Sequence, residues 1–327
     1  MRRLSTTTIQ ALITIGLTVS TASAQKMYWA DSSSGKIQRA NLDGTNIEDL
    51  VSAEEANNPG AIALDLTADG IYWAAFAFFG GRIQRADLDG TNVELILTGE
   101  GVSGIAIDRG AGEMYFTIPS DCDPLCGSVR RASLDGTNRE YLLAATNPKA
   151  IALHLAAGKM CWAAFSDDIF STEPLIRCGN LDGSGVTTIL SNTSASGVAI
   201  DPSASKIYWT DPDALAIRRA NLNGTNIEDL VTTGLTNPVG IALDLESGRM
   251  YWTDPGSGKI KRANLNGSNV EDLVTGLSAP RGIALDLRPT VTPPDPAPAV
   301  SEWGMAALVL LLLVALSIVF RRVTTAT

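Results

Sequence analysis

Between Lys26 and Arg288 the apolar residues fall in short runs of four to seven, separated by Gly, Asp and Asn, and no run keeps a helical period over a useful length. One stretch gives the pattern: Ile71-Tyr72-Trp73-Ala74, Arg82-Ile83-Gln84-Arg85-Ala86, Val93-Glu94-Leu95-Ile96-Leu97 and Gly104-Ile105-Ala106-Ile107-Asp108. These read as strands, and Asp89-Gly90-Thr91-Asn92 joins two of them as a tight hairpin because glycine supplies the positive φ such a turn needs. The order then recurs as an aromatic pair, Ile-x-Arg-Ala-x-Leu-Asp/Asn-Gly, a short apolar run, and Gly/Ala-Ile-Ala-Leu-Asp. The leading position falls at Tyr28, Tyr72, Tyr115, Cys161, Tyr208 and Tyr251, which makes six units of about 45 residues. Four antiparallel strands repeated six times predict an all-β fold, a six-bladed β-propeller.

The phase of the repeat predicts how the ring closes. The first copy opens at Met27-Tyr28-Trp29 with no Ile-Ala-Leu-Asp strand ahead of it, and the last ends with Gly282-Ile283-Ala284-Leu285-Asp286. The inner strand missing from the first blade is therefore expected from the C-terminal end, a clasp that leaves no open sheet edge.

Tyr28-Trp29-Ala30-Asp31, Tyr208-Trp209-Thr210-Asp211 and Tyr251-Trp252-Thr253-Asp254, each followed by Arg-Ala and Leu-Asp/Asn-Gly, resemble the YWTD or class B repeats of the low-density lipoprotein receptor family. The resemblance covers Lys26 to Arg288 and weakens in the middle, where Tyr72-Trp73-Ala74-Ala75, Tyr115-Phe116-Thr117-Ile118 and Cys161-Trp162-Ala163-Ala164 lack the Asp. It implies a propeller and, for function, protein binding on the face formed by the longer loops; the motif itself implies no activity.

The charge of −10 disfavours nucleic acid or another polyanion as partner, since no basic patch offsets it. A single histidine, His154, excludes chemistry that needs several imidazoles. His154 stands where the other copies carry Asp65, Asp108, Asp201, Asp244 and Asp286. A ring of these groups around the channel could hold a cation. As a property of every repeat, however, they are expected to cap the turn after each inner strand. No cofactor or metal is expected, and no nucleophile–base pair stands out.

The two ends read as addresses. Arg2 and Arg3, the apolar stretch Ile9 to Val19 and Ala22-Ser23-Ala24 form a signal peptide over 1–24 for signal peptidase. At the other end a Pro-rich linker, 289–300, leads into 301–327, where 304–320 is an uncharged segment of membrane-spanning length followed by Arg321-Arg322. Ser301-Glu302-Trp303-Gly304, the apolar segment and the arginine pair resemble the IPTL-type C-terminal sorting domain of Gram-negative bacteria, although Ala297-Pro298-Ala299-Val300 stands where that family has Ile-Pro-Thr-Leu. The resemblance implies an exosortase-like processing enzyme. It also implies export from a Gram-negative cell, with inner-membrane anchoring towards the periplasm and then release or display at the surface.

Five copies carry a Tyr in one strand and an Arg in the next; in the remaining copy both are cysteine, so Cys161–Cys178 is expected as a cross-strand disulfide, and Cys122–Cys126 by elimination. Blade-specific function should lie where copies diverge, in the loop after the aromatic strand, which is long in three successive copies. There Phe76, Phe78, Phe79 and Phe170 supply apolar area beside Asp121, Asp123, Asp167, Asp168 and Glu173, the composition of a binding patch. The expectation is a non-enzymatic surface or envelope module that binds a protein or peptide. The alternatives are a calcium-dependent hydrolase or lyase of the six-bladed type, and a passive structural component of the envelope or matrix.

Overall fold

The computed structural model describes residues 25–75, 80–119, 127–166 and 173–289. The period-two runs become strands in six four-stranded antiparallel sheets. The first blade contains β1 (Lys26–Asp31), β2 (Lys36–Asn41) and β3 (Glu48–Val51), followed by a one-turn helix α1 (Ala53–Ala56) that carries no sequence signal of its own. The second blade is β4 (Pro59–Asp65), β5 (Gly70–Ala75), β6 (Arg82–Asp87) and β7 (Glu94–Thr98); the third is β8 (Gly104–Asp108), β9 (Glu113–Ile118), β10 (Ser128–Ser133) and β11 (Glu140–Ala144). The fourth is β12 (Ile151–His154), β13 (Lys159–Phe165), β14 (Pro174–Asn180) and β15 (Thr187–Ser191). The fifth is β16 (Gly197–Asp201), β17 (Lys206–Asp211), β18 (Ala216–Asn221) and β19 (Glu228–Val231), and the sixth β20 (Ile241–Asp244), β21 (Arg249–Asp254), β22 (Lys259–Asn264) and β23 (Glu271–Val274).

The last strand, β24 (Pro280–Asp286), completes the first blade as its inner strand. It pairs with β1 at Lys26↔Asp286, Met27↔Leu285, Tyr28↔Ala284 and Trp29↔Ile283. The C-terminal clasp expected from the repeat phase is thus present. Both ends of the repeat region meet at the Asp286 end of this strand, where Gln25 Nε2 also donates to the Leu287 carbonyl at 3.1 Å. Arg288 locks the join: its guanidinium donates to Asp286, to Asp69 and to the Leu66 carbonyl in the second blade.

Alternation along each aromatic strand sends Tyr and Trp to opposite faces, and each face packs on a different neighbour. Tyr28, Ile37 and Val51 of the first blade pack with Trp73 and Ile71 of the second. Trp29 and Met27 of the first pack with Tyr251, Ile260 and Val274 of the sixth, together with Ile283 of the clasp. Each of six apolar clusters sits at one blade junction, so the core is a ring of interfaces and every blade depends on both neighbours.

Beside each Tyr runs a polar row that ties blades together at the surface. Arg39, directly across from Tyr28, bonds Glu48 on its own outer strand and donates to the Leu88 carbonyl of the next blade at 2.8 Å. Arg219 and Arg262 do the same with Leu265 and Leu42. The bonded guanidinium holds Glu48, Glu228 and Glu271 below the ordinary carboxylate range, while burial pushes the Tyr28 hydroxyl up.

In the fourth blade the row is replaced as the paired substitution implied. Cys161 and Cys178 are register partners with Cα atoms 4.1 Å apart and form a disulfide. The bridge spans a sequence separation of 17, for which loop-closure entropy predicts about 3 kcal/mol. Replacing both cysteines by serine is expected to lower the melting temperature by several degrees without changing the fold; an unchanged melting curve would show that the bridge contributes no stability. The other expected bridge, Cys122–Cys126, lies outside the described residues, as do the signal segment 1–24 and the tail including 301–327 and the sorting residues Ser301, Glu302, Trp303 and Gly304. Among the described residues no helix is long and apolar enough to cross a membrane.

Candidate functional site

The inner strands β4, β8, β12, β16, β20 and β24 surround a central cavity of about 560 Å³. Its wall is a ring of branched aliphatic side chains, Ile62, Ile105, Ile151, Val198, Ile241 and Ile283, one from each inner strand. Gly104, Gly197, Gly240 and Gly282 come just before this ring, at the mouth. A Cβ on Gly240 would collide with the Arg281 carbonyl and one on Gly282 with the Gly60 carbonyl, so glycine here lets neighbouring inner strands approach each other.

The recurring Asp lies at the far end of five inner strands from the mouth, and His154 holds that place in β12. Asp65 Oδ1 accepts from the amides of Thr67 and Ala68, Asp108 from Ala111, Asp201 from Ser203 and Ala204, Asp244 from Ser247, and Asp286 from Arg288. They cap turns and do not line the cavity, so the ring of carboxylates weighed from sequence is absent at these positions. Among the described residues no three His, Cys, Asp or Glu side chains gather closely enough to hold a metal ion.

At the mouth the last two residues of the YWTD motif act between blades. Thr253 Oγ1 accepts from the Gly240 amide and donates to the Arg281 carbonyl, linking the sixth blade to the clasp. Thr210 does the same between Gly197 and the Val239 carbonyl. Asp254, fully buried, accepts from the Thr236 amide and hydroxyl and from the Asn237 amide, and so fixes the segment that enters the inner strand. Asp31 accepts from the Ser278 and Ala279 amides at 2.8 and 3.0 Å and from Ser34 at 3.1 Å. In the second, third and fourth blades this Asp is Ala75, Ile118 and Ala164, and these are the three blades whose next loop is long. The sequence contains both facts; the structure adds that in the first blade the Asp31 carboxylate joins the short loop at Ser34 to the entering segment at Ser278 and Ala279.

Of the residues expected to form the binding patch, only Glu173 is described; it precedes β14, and its carbonyl accepts from the Ser166 amide at 2.8 Å. Phe76, Phe78, Phe79, Asp121, Asp123, Asp167, Asp168 and Phe170 lie outside the described residues. In sequence each of these loops joins the second and third strands of its blade, as does the short turn of the first blade, whose Ser32 lies at the cavity rim. The reading from sequence missed the rim itself. Two positions before the aliphatic ring the copies carry Gly60, Ser103, Lys149, Ser196, Val239 and Arg281, a divergence as strong as that of the loops. Lys149 lies over the Phe165 ring, 5.4 Å from its centroid, whereas Arg281 lines the cavity.

The sequence profile of the low-density lipoprotein receptor repeat class B family fits residues 25–66 and 248–287. These are the first and last copies, whose Asp31 and Asp254 both hold the segment that enters the inner strand of their blade. Low-density lipoprotein receptor-related protein 4 of Homo sapiens is 46% identical over 50 residues, 15% of this chain, which spans only 2% of that protein. Among solved structures, a chain of a nidogen/laminin complex superposes with a TM-score of 0.69 at 21% identity, over 80% of this chain and 98% of that one. TolB from Acinetobacter baumannii gives 0.64 at 13% identity, over 81% of this chain and 67% of its own. At these identities the superpositions establish the six-bladed fold alone.

Proposed function

We propose that this chain is an exported, non-catalytic β-propeller, held at the cell envelope or surface, that binds a protein or peptide through its mouth face. The observation that carries the reading is the polarity of the ring. The repeat region begins and ends at the Asp286 end of the clasp, the side of the capped turns, which is opposite the mouth. In this reading the three long loops contribute to that face, with Phe76, Phe78, Phe79 and Phe170 as apolar anchors among Asp121, Asp123, Asp167, Asp168 and Glu173. The resemblance to a receptor repeat and the superposition on a chain from a nidogen/laminin complex agree with a recognition role. In this reading Ser301-Glu302-Trp303-Gly304 directs processing by an exosortase-like enzyme, and Cys122–Cys126 staples the loop of the third blade.

The test is cross-linking capture of envelope and extracellular proteins by the full chain beside a variant with Phe76, Phe78 and Phe79 changed to Ser. A partner held by the parent and lost by a variant with an unchanged melting temperature is the expected result. Equal capture by both would remove the loops from the binding face.

A further inference from the structure

We propose that the cavity mouth is a carboxylate subsite built on Arg281, taking the carboxylate of an extended peptide while the adjoining apolar side chain rests on the aliphatic ring below. The inference deepens the recognition reading and depends on the mouth being the working face.

Charge makes the case first. The chain carries 35 acidic against 25 basic residues, yet the described residues lining this cavity include no carboxylate and one cation, Arg281. The acids nearest in sequence to the rim are occupied. Asp31 is buried and saturated by backbone amides, and Asp254 likewise. Among the described residues the cavity wall thus carries one positive charge and no negative one, which favours an anion that reaches the wall and orients it.

The state of Arg281 makes the case more specific. Arg39, Arg131, Arg219, Arg262 and Arg288 all bond carboxylates. Arg281 is exposed, and its Nε donates to Ser32 Oγ at 2.9 Å. Among the described residues neither Nη1 nor Nη2 has an acceptor. The Ser32 bond fixes the plane of the guanidinium and leaves its outer donors unused, which is the preorganisation a planar, two-oxygen acceptor requires. A single guanidinium suits one carboxylate better than a phosphate dianion, for which no second cation lines the cavity. The Ile62, Ile105, Ile151, Val198, Ile241 and Ile283 ring offers nothing to a polar ligand and fits a short aliphatic side chain. Ser196, also on the lining, adds a hydroxyl for the peptide backbone.

The position of Arg281 adds a consequence. It lies on β24, so a ligand held there also holds the strand that closes the ring. Binding should raise the thermal stability of the protein.

The probes are acetyl-Ala-Val-Val with a free C-terminal carboxylate, the same peptide as its C-terminal amide, and hexanoate. Each is titrated calorimetrically into the full-length chain in detergent, with melting temperature recorded. The free-acid peptide is expected to bind at least about tenfold more tightly than the amide and to raise the melting temperature. The Arg281→Gln variant should lose that preference, and Arg281→Lys should keep part of it. Equal binding of acid and amide to the unmodified protein overturns the proposal without reference to any variant. Hexanoate binding as tightly as the peptide overturns the peptide assignment. If a captured partner is lost with the phenylalanine variant but kept by Arg281→Gln, the mouth face still recognises its partner and this subsite is wrong.

Discussion

Deleting Arg281–Asp286 is expected to abolish cooperative unfolding. The segment supplies the inner strand of the first blade, and without it β1 loses its pairing from Lys26 to Trp29. Ile283 leaves the seam cluster, so Met27 and Trp29, both fully buried, face water on that side. Asp31 keeps only its bond to Ser34 if the Ser278–Ala279 segment is released. Two lost aliphatic side chains at about 2 kcal/mol each, together with four or more main-chain bonds at about 1 kcal/mol each, come to about 8 kcal/mol, comparable to the entire stability of a domain. The deletion would also leave the inner edge of β1 unpaired. Circular dichroism melting of the deletion variant should show no sigmoidal transition. A soluble monomer that melts at the parental temperature would mean that the ring closes by other contacts.

Asp31→Ala should be the most damaging single substitution among the motif acids. The carboxylate is 1% exposed and accepts three backbone amides, two of them from a segment nearly the whole domain away in sequence. Alanine leaves those amides without a partner in a buried place, at roughly 1 to 3 kcal/mol each, so a loss of at least about 3 kcal/mol is expected. Asp254→Ala orphans a similar set but inside the ring, where the strands on both sides stay continuous in sequence. The two differ in consequence: only Asp31 spans the junction of the chain ends. Urea unfolding should place Asp31→Ala below Asp254→Ala in midpoint, with amide exchange along β24 accelerated only in the former. Equal midpoints and a protected β24 would show that the clasp does not rely on this carboxylate.

Much of the fold could be read from sequence because its determinants are local and repeated. The hairpin Asp87–Asn92 is an example: Gly90 adopts φ 87°, and the Asp89 carboxylate binds the Thr91 amide and hydroxyl. The Tyr-to-Arg spacing likewise reports a cross-strand pair, which is why a simultaneous change to Cys161 and Cys178 could be read as a bridge. The capping role of Asp65 and its counterparts followed from their recurrence. The work of Thr253 and Asp254 was hidden because their partners are backbone groups, which have no residue-type signature, in segments of other blades or of the clasp. Arg281 was hidden for a different reason. In sequence it is one of many arginines, and only the lining of the cavity reveals that it alone among the lining residues carries charge and that no acid lines the wall beside it. The helix α1, at four residues, is too short for any periodic signal.

The central claim is that the mouth face is the working face, and backbone hydrogen exchange of the full chain with and without its captured partner tests it most directly. The predicted result is slowed exchange in the segments that enter the inner strands, around Ser103, Lys149, Ser196 and Arg281, with no change in the turns capped by Asp65, Asp201 and Asp244. Protection confined to those capped turns would contradict the account, since it would put the partner on the face where the repeat region begins and ends.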